Sequence, residues 1–278
     1  MFREIIKGSL MLSAALSVVA CSSNAAVEKA EELYGQSLEL RKQGNYEGAI
    51  KLLDSIDRAY PSAIDVRRKV TALRPLLMEQ VTNRQLEIAD SISALSSWRL
   101  DSMKKFNQPV SNVIENYFVP AAEGKINVAA VPGLHARMSP DGRFYIVATA
   151  PGHIGMTSVT VTSGSESASS PVISYDGERS DRSGANDVIT FVEAECDGLG
   201  NFIMQHRDSP VSVTYSGKTS RTEPLSANQK EGVALLYETA SLVRECKKQE
   251  IEKQRLTRVL EVVRSQIART ASDSISIE

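Results

Sequence analysis

The side chains of this chain that could do acid–base, metal or nucleophilic chemistry are few and widely spaced. There are three histidines, His135, His153 and His206, and three cysteines, Cys21, Cys196 and Cys246. A zinc site draws its ligands from short, characteristic spacings. His135, His153, His206 and Cys196 show none, so the histidines read as ordinary hydrogen-bonded or surface groups. Glu193 and Glu195 flank Ala194 on an expected strand, where alternation puts both carboxylates on one face. Glycoside cleavage would need a second carboxylate across a cleft, so this pair reads as a solvated face. Asp176, Glu178, Asp181 and Asp187 offer the oxygen ligands that calcium prefers, but Arg179 and Arg182 stand among them and offset the charge. The sequence has no Gly-x-Ser-x-Gly elbow, no His-Glu-x-x-His pair and no Gly-x-x-x-x-Gly-Lys-Ser/Thr phosphate loop. No catalytic residue, no metal ligand and no cofactor is therefore expected. A sugar face would stack on exposed aromatics, and Tyr145, Tyr175 and Tyr215 are the candidates for such a ligand surface in a region without Trp.

The third cysteine has a different setting. Arg3 and Lys7 make a short basic start, and an apolar stretch from Leu10 to Ala20 is broken only by Ser13 and Ser17. Val18-Val19-Ala20-Cys21 follows, and then the polar Ser22-Ser23-Asn24. The apolar run is shorter than the roughly 20 residues that a membrane-crossing helix needs, and it ends in small residues as a secretory signal does. This segment resembles a bacterial lipoprotein signal with its lipobox. The resemblance implies cleavage before Cys21, a lipid on its thiol, and attachment to a membrane of the cell envelope. Ser22 after the cysteine implies the outer membrane by the enterobacterial sorting pattern. One acyl chain binds a membrane only weakly, and the family's several chains meet the need for firm anchoring.

Composition and periodicity describe what the anchor would hold. The 278 residues carry a net charge of −2, so a nucleic-acid partner is not expected. Cys196 and Cys246 could pair in an oxidising periplasm, but no spacing argument places them within disulfide reach, and the preferred reading is two small buried thiols. The fold class expected is α+β, in four parts: a signal peptide over 1–20, a helical region over 21–110, an all-β sandwich-like domain over 111–224, and a long C-terminal helix over 225–278.

Apolar positions recur at three and four residues from Ala26 to Leu40 and again from Ala49 to Tyr60, with Gly44 and Asn45 between them. Lys42-Gln43-Gly44-Asn45-Tyr46, then Ala49-Ile50, then Pro61, resemble one hairpin of a tetratricopeptide repeat. One period on, the matching positions are Met78, Gln80, Asn83 and Leu95 and do not fit, so the resemblance covers one hairpin and implies no peptide groove. A capping box at Ser62–Asp65 opens another helix, with Pro75 as a kink or break. Leu77, Val81, Ile88, Ile92, Leu95 and Arg99 then mark one side of a long helix ending near Phe106, with Pro109 beyond it.

The β region is expected to hold nine strands: 126–131, 134–138, 144–149, 158–162, 172–175, 188–196, 202–206, 211–215 and 218–221. Gly-containing turn pairs separate many of them, and the polar stretch from Asp176 to Asp187 reads as a loop. After Gly232 the chain has neither Gly nor Pro, and Leu236, Ala240, Val243, Leu256, Leu260, Val263 and Ile267 mark a second long helix. Two long amphipathic helices bracketing a β module suggest an antiparallel coiled-coil stalk. The expectation is a non-enzymatic, lipid-anchored envelope protein that presents its β domain to a protein partner or an envelope polymer, with self-association through the long helices open. A glycan- or small-ligand-binding lipoprotein is the alternative, and an unrecognised hydrolase the third reading.

Overall fold

A computed structural model describes residues 5–111, 115–124, 126–175 and 177–275, with side chains from 24 to 272 within those ranges. The fold is mixed α+β and divides into two compact units, one of residues 1–90 with 251–278 and one of residues 91–250.

The first unit is helical. Helix α1 spans Ile5–Lys42 and α2 spans Tyr46–Ala59. Gly44 between them takes φ +74°, which costs glycine little and any other residue more. Asn45 caps α2 by accepting a hydrogen bond from the Gly48 N–H at 3.0 Å. The third helix, α3, spans Ile64–Met103 and continues through Pro75 without a break. Its first turns close the core of this unit, where Ala30, Ala49, Leu53, Ile56, Val66, Val70 and Leu77 are buried together. Arg74 ties α3 to α2 through Asp54 and Asp57.

Helix α5, Ala227–Ile275, packs closely against α3. In the helical unit Glu79 meets Arg264 and Asp90 meets Lys253, each at 2.8 Å, and Leu256, Leu260 and Val263 are buried. In the other unit Arg99 binds Glu238 at 2.9 Å. The pairing is antiparallel, as anticipated, but the seam lies on another stripe of α3. Ile88, Leu95 and Ile92 are exposed, Ile88 by 53% and Leu95 by 64%. The buried positions are Thr82, Ala89, Ser96 and Met103, one every seven residues. Small side chains at a heptad position let two backbones come close, and the leucines and valine of α5 supply the bulk.

The second unit holds two antiparallel sheets. The larger has the order β1-β2-β3-β4-β8-β7, formed by Asn107–Ser111, Asn116–Pro120, Gly133–Met138, Phe144–Pro151, Asn186–Val192 and Ser180–Ser183 respectively. The smaller has the order β10-β9-β5-β6, formed by Ser220–Pro224, Ser212–Ser216, Ser158–Ser163 and Glu166–Ser169. Leu134, Phe144, Ile146 and Phe191 of one sheet share a single core with Val159, Val161, Val213 and Tyr215 of the other. That core is not all-β. Helix α4, Asp197–Gln205, contributes Leu199, Phe202 and Ile203, and the first turns of α5 contribute Val233, Leu236 and Ala240.

Several expected elements change here. The segment 202–206, expected as a strand, is the end of α4, because Leu199, Phe202 and Ile203 stand at the spacing of one helical face. The segment 126–131 is turn and irregular chain, tied down by Thr149 Oγ1 to the Val128 carbonyl at 2.8 Å and by Asn186 Nδ2 to the Ala129 carbonyl at 3.1 Å. Residues 172–175 are irregular, whereas the polar stretch after them contains β7. β1 was missed because Pro109 reads as a breaker. It is tolerated since β1 is an edge strand with one side unpaired.

Candidate functional site

The most organised polar cluster centres on Asp187, at the start of β8. It is fully buried in the second unit. One carboxylate oxygen accepts from the backbone N–H groups of Gly155 at 2.6 Å and Met156 at 3.2 Å. The other accepts from the Tyr175 hydroxyl at 3.0 Å and lies 3.3 Å from His153 Nδ1. Arg182 Nε in turn donates to the Tyr175 oxygen at 2.9 Å. Burial alone would raise the Asp187 carboxyl, but the hydrogen bonds from Met156, His153, Tyr175 and Gly155 outweigh it, and the group is held below the usual carboxylate range. A carboxylate oxygen can only accept, so His153 Nδ1 donates to it, from a side chain that is 44% exposed. The arrangement pins the 153–156 loop to β8.

Among the described residues, the acidic groups of this region do not gather at one point. Asp187 turns inward to this cluster, Glu195 binds Arg179 at 2.8 and 2.7 Å, and Asp176 lies outside the described residues. Glu193 and Glu195 are not on a strand. β8 ends at Val192, and Glu193, Ala194 and Glu195 form a 3-10 turn in which Glu193 takes φ +50°. Their carboxylates part: Glu195 accepts from the Val192 N–H at 3.0 Å, while Glu193 lies 3.9 Å from Arg143.

The histidines have three separate settings. His135 is buried, with Nε2 donating to the Val131 carbonyl at 2.8 Å and Nδ1 3.5 Å from Glu123. His206 stacks on Phe202 at 4.1 Å and pairs with Glu166 at 3.2 Å. Cys196 joins neither. Its thiol is enclosed by the carbonyls of Phe144, Phe191 and Glu193 at 3.4–3.5 Å, and burial, with the charge of Asp197, pushes it up to about 12. Cys196 and Cys246 are both free thiols; Cys196 is buried as expected, whereas Cys246, on α5, is partly exposed.

The candidate tyrosines do not make one surface. Tyr215 faces the core at 1% exposure, so it offers no ring for stacking, and burial raises its phenol. The Tyr175 hydroxyl is committed to Asp187 and Arg182, whose guanidinium stands 5.7 Å from the ring centroid. Tyr145, on β4, is half-buried between its pairing partners Arg137 and Val192. The side chain of Cys21 lies outside the described residues. The His153–Asp187 pair escaped the sequence because 34 residues separate its members, and only the return of β8 beside the 152–157 loop joins them.

Two further concavities lie in this unit. One, of about 340 Å³, is lined by Leu100, Pro109, Phe118, Met138 and Val243, with Asn107 and Lys104 among its polar residues. The other, of about 470 Å³, runs past Pro132, Arg221, Glu223 and Gln229. Among the described residues, no helix is long and apolar enough to cross a membrane. Compared with protein-family models, with curated proteins and with solved structures, the chain matches none.

Proposed function

We propose that this chain is a non-enzymatic, lipid-anchored protein of the bacterial cell envelope whose β unit meets an envelope polymer or protein. One observation carries the reading. The sandwich is inserted between α3 and α5, two helices that pack on each other, and the chain that leads to them begins with the lipobox-like segment before Cys21. A unit entered and left through paired helices is held at both of its chain ends, which suits a module that is displayed. Mass spectrometry of the protein made in a diderm bacterial host tests the anchor. The expected product starts at a diacylated Cys21 and sediments with membranes, whereas Cys21→Ser leaves it unacylated. An intact leader, or a bare Cys21 thiol in the wild type, overturns the proposal.

Binding of a small apolar molecule is a second reading, favoured by the 340 Å³ cavity between α3, α5 and the larger sheet. Displacement of a hydrophobic fluorophore, lost on Met138→Trp to fill the space, is its test.

A further inference from the structure

The outward face of the smaller sheet has a composition that the helices and the core do not share. On β5, Val159 and Val161 point into the core, so Ser158, Thr160 and Thr162 point out. The register carries this face across all four strands. Thr222 of β10 stands beside Thr214 of β9, Thr214 beside Thr160 of β5, and Thr160 beside Ser169 of β6. The rows on either side repeat the pattern, with Ser216 beside Ser158 and Ser212 beside Thr162. Every position of this face is a serine or threonine until Pro224 ends it.

In a chain of which 24% is charged, this face carries no charged side chain. Arg221 and Glu223 share the side of β10 that faces Tyr215 and Val213, and they pair with each other at 2.6 Å. Solvated sheet faces and edge strands ordinarily carry lysine or glutamate. Here the hydroxyls stand on a lattice, about 4.8 Å apart across strands and about 6.8 Å apart along them. Neighbours bond across it, Thr160 to Ser169 and Thr214 to Thr222, each at 2.8 Å. In each such pair one hydroxyl keeps its proton to donate and both keep acceptor capacity.

We propose that this hydroxyl face docks an uncharged, extended polysaccharide, the polymer class that meets it with hydroxyls of its own. This rests on the envelope-polymer reading above and names the polymer and the surface. Neutral partners suit the face because it has no charge to offer a phosphate or a carboxylate. Each hydroxyl exchange with water gains little, so a single sugar binds weakly and a chain that engages several rows, or a fibre that engages many protein molecules, binds through their sum.

The test is co-sedimentation of the detergent-solubilised full chain with cellulose, chitin and insoluble β-1,3-glucan, with heparin-agarose as the charged comparison. The expected result is depletion by at least one neutral polymer, at least tenfold weaker binding for Thr160→Lys with Thr214→Lys, and unchanged binding for Ser55→Lys on α2. Thr160→Val with Thr214→Val, which keeps strand preference and removes two hydroxyls, should weaken binding too, and a circular dichroism spectrum like the wild type shows that it folds. No depletion by any neutral polymer, equal depletion by the double variants, or preference for heparin overturns the inference. Acylation of Cys21 is read separately, so a failure here with the lipid present refutes the polysaccharide alone.

Discussion

Replacing Asp187 by Ala removes the acceptor for four donors at once, and they do not count equally. The His153 side chain is 44% exposed and Tyr175 is partly exposed, so both can turn to water. The N–H groups of Gly155 and Met156 belong to buried residues and would be left without a partner. A buried, unsatisfied donor costs roughly 1–3 kcal/mol, so the loss should be about 2–6 kcal/mol, concentrated in the 152–157 loop. At 1.4 kcal/mol per factor of ten, even about 3 kcal/mol speeds local opening by roughly a hundredfold. Hydrogen exchange read by mass spectrometry on peptides covering residues 152–160 measures this directly, since the two amides are themselves the reporters. The expected result is exchange at least about a hundred times faster at these positions, with the α1–α2 hairpin unchanged. Wild-type protection of Gly155 and Met156 in the variant would refute the reasoning. The same carboxylate sets an acid limit. Because its folded-state value lies below the ordinary one, its contribution is complete above the usual carboxylate range and is lost as pH falls through the depressed value. Protection of the loop in the wild type should therefore fall in acid, and Asp187→Ala should flatten that dependence.

The remaining expectations concern packing and reactivity. At Gly200, a Cβ would come within 2.5 Å of the Tyr237 ring and 2.9 Å of Phe144, which meet edge to face at 5.1 Å. Gly200→Val should thus cost about 1–3 kcal/mol through overpacking, measured as a fall in the urea midpoint. Leu256→Ala in the α3–α5 seam should cost about 2–5 kcal/mol, whereas Leu95→Gln on the exposed stripe should stay within about 0.5 kcal/mol. Equal effects in the same urea titration would mean that the seam has been placed on the wrong stripe. Iodoacetamide at pH 8 should label Cys246 and spare Cys196 until the protein is denatured, with the modified peptides read by mass spectrometry.

The helices were legible because they carry long periodic signals. Gly44 and Asn45 mark a turn, and Leu236, Ala240, Leu256, Leu260 and Val263 are all buried where the stripe puts them. The α3 seam was misread for a physical reason. Hydrophobicity singles out Ile88, Ile92 and Leu95, but close approach of two helices favours small residues, and it is Thr82, Ala89 and Ser96 that are buried. In the β unit, strands with clean alternation such as Ser158–Ser163 were found, and those defined by partners instead of pattern, such as β1, β6 and β7, were not. α4 was lost because Asp197-Gly198 also reads as a turn and its few residues give a weak helical period. The Asp187 cluster and the hydroxyl face share one cause: both depend on register between distant segments, which no local pattern encodes.

The α3–α5 pairing also sets an order of events in the life of the chain. Arg264 finds Glu79 across 185 residues of sequence, and Arg99 waits 139 residues for Glu238. Contacts this remote close late and slowly. A nascent molecule has therefore built its hairpin and most of its strands before the last helix emerges to cover α3. A copy truncated near residue 250 would lack Leu256, Leu260 and Val263, and the bared groove would flag it to proteases as unfinished.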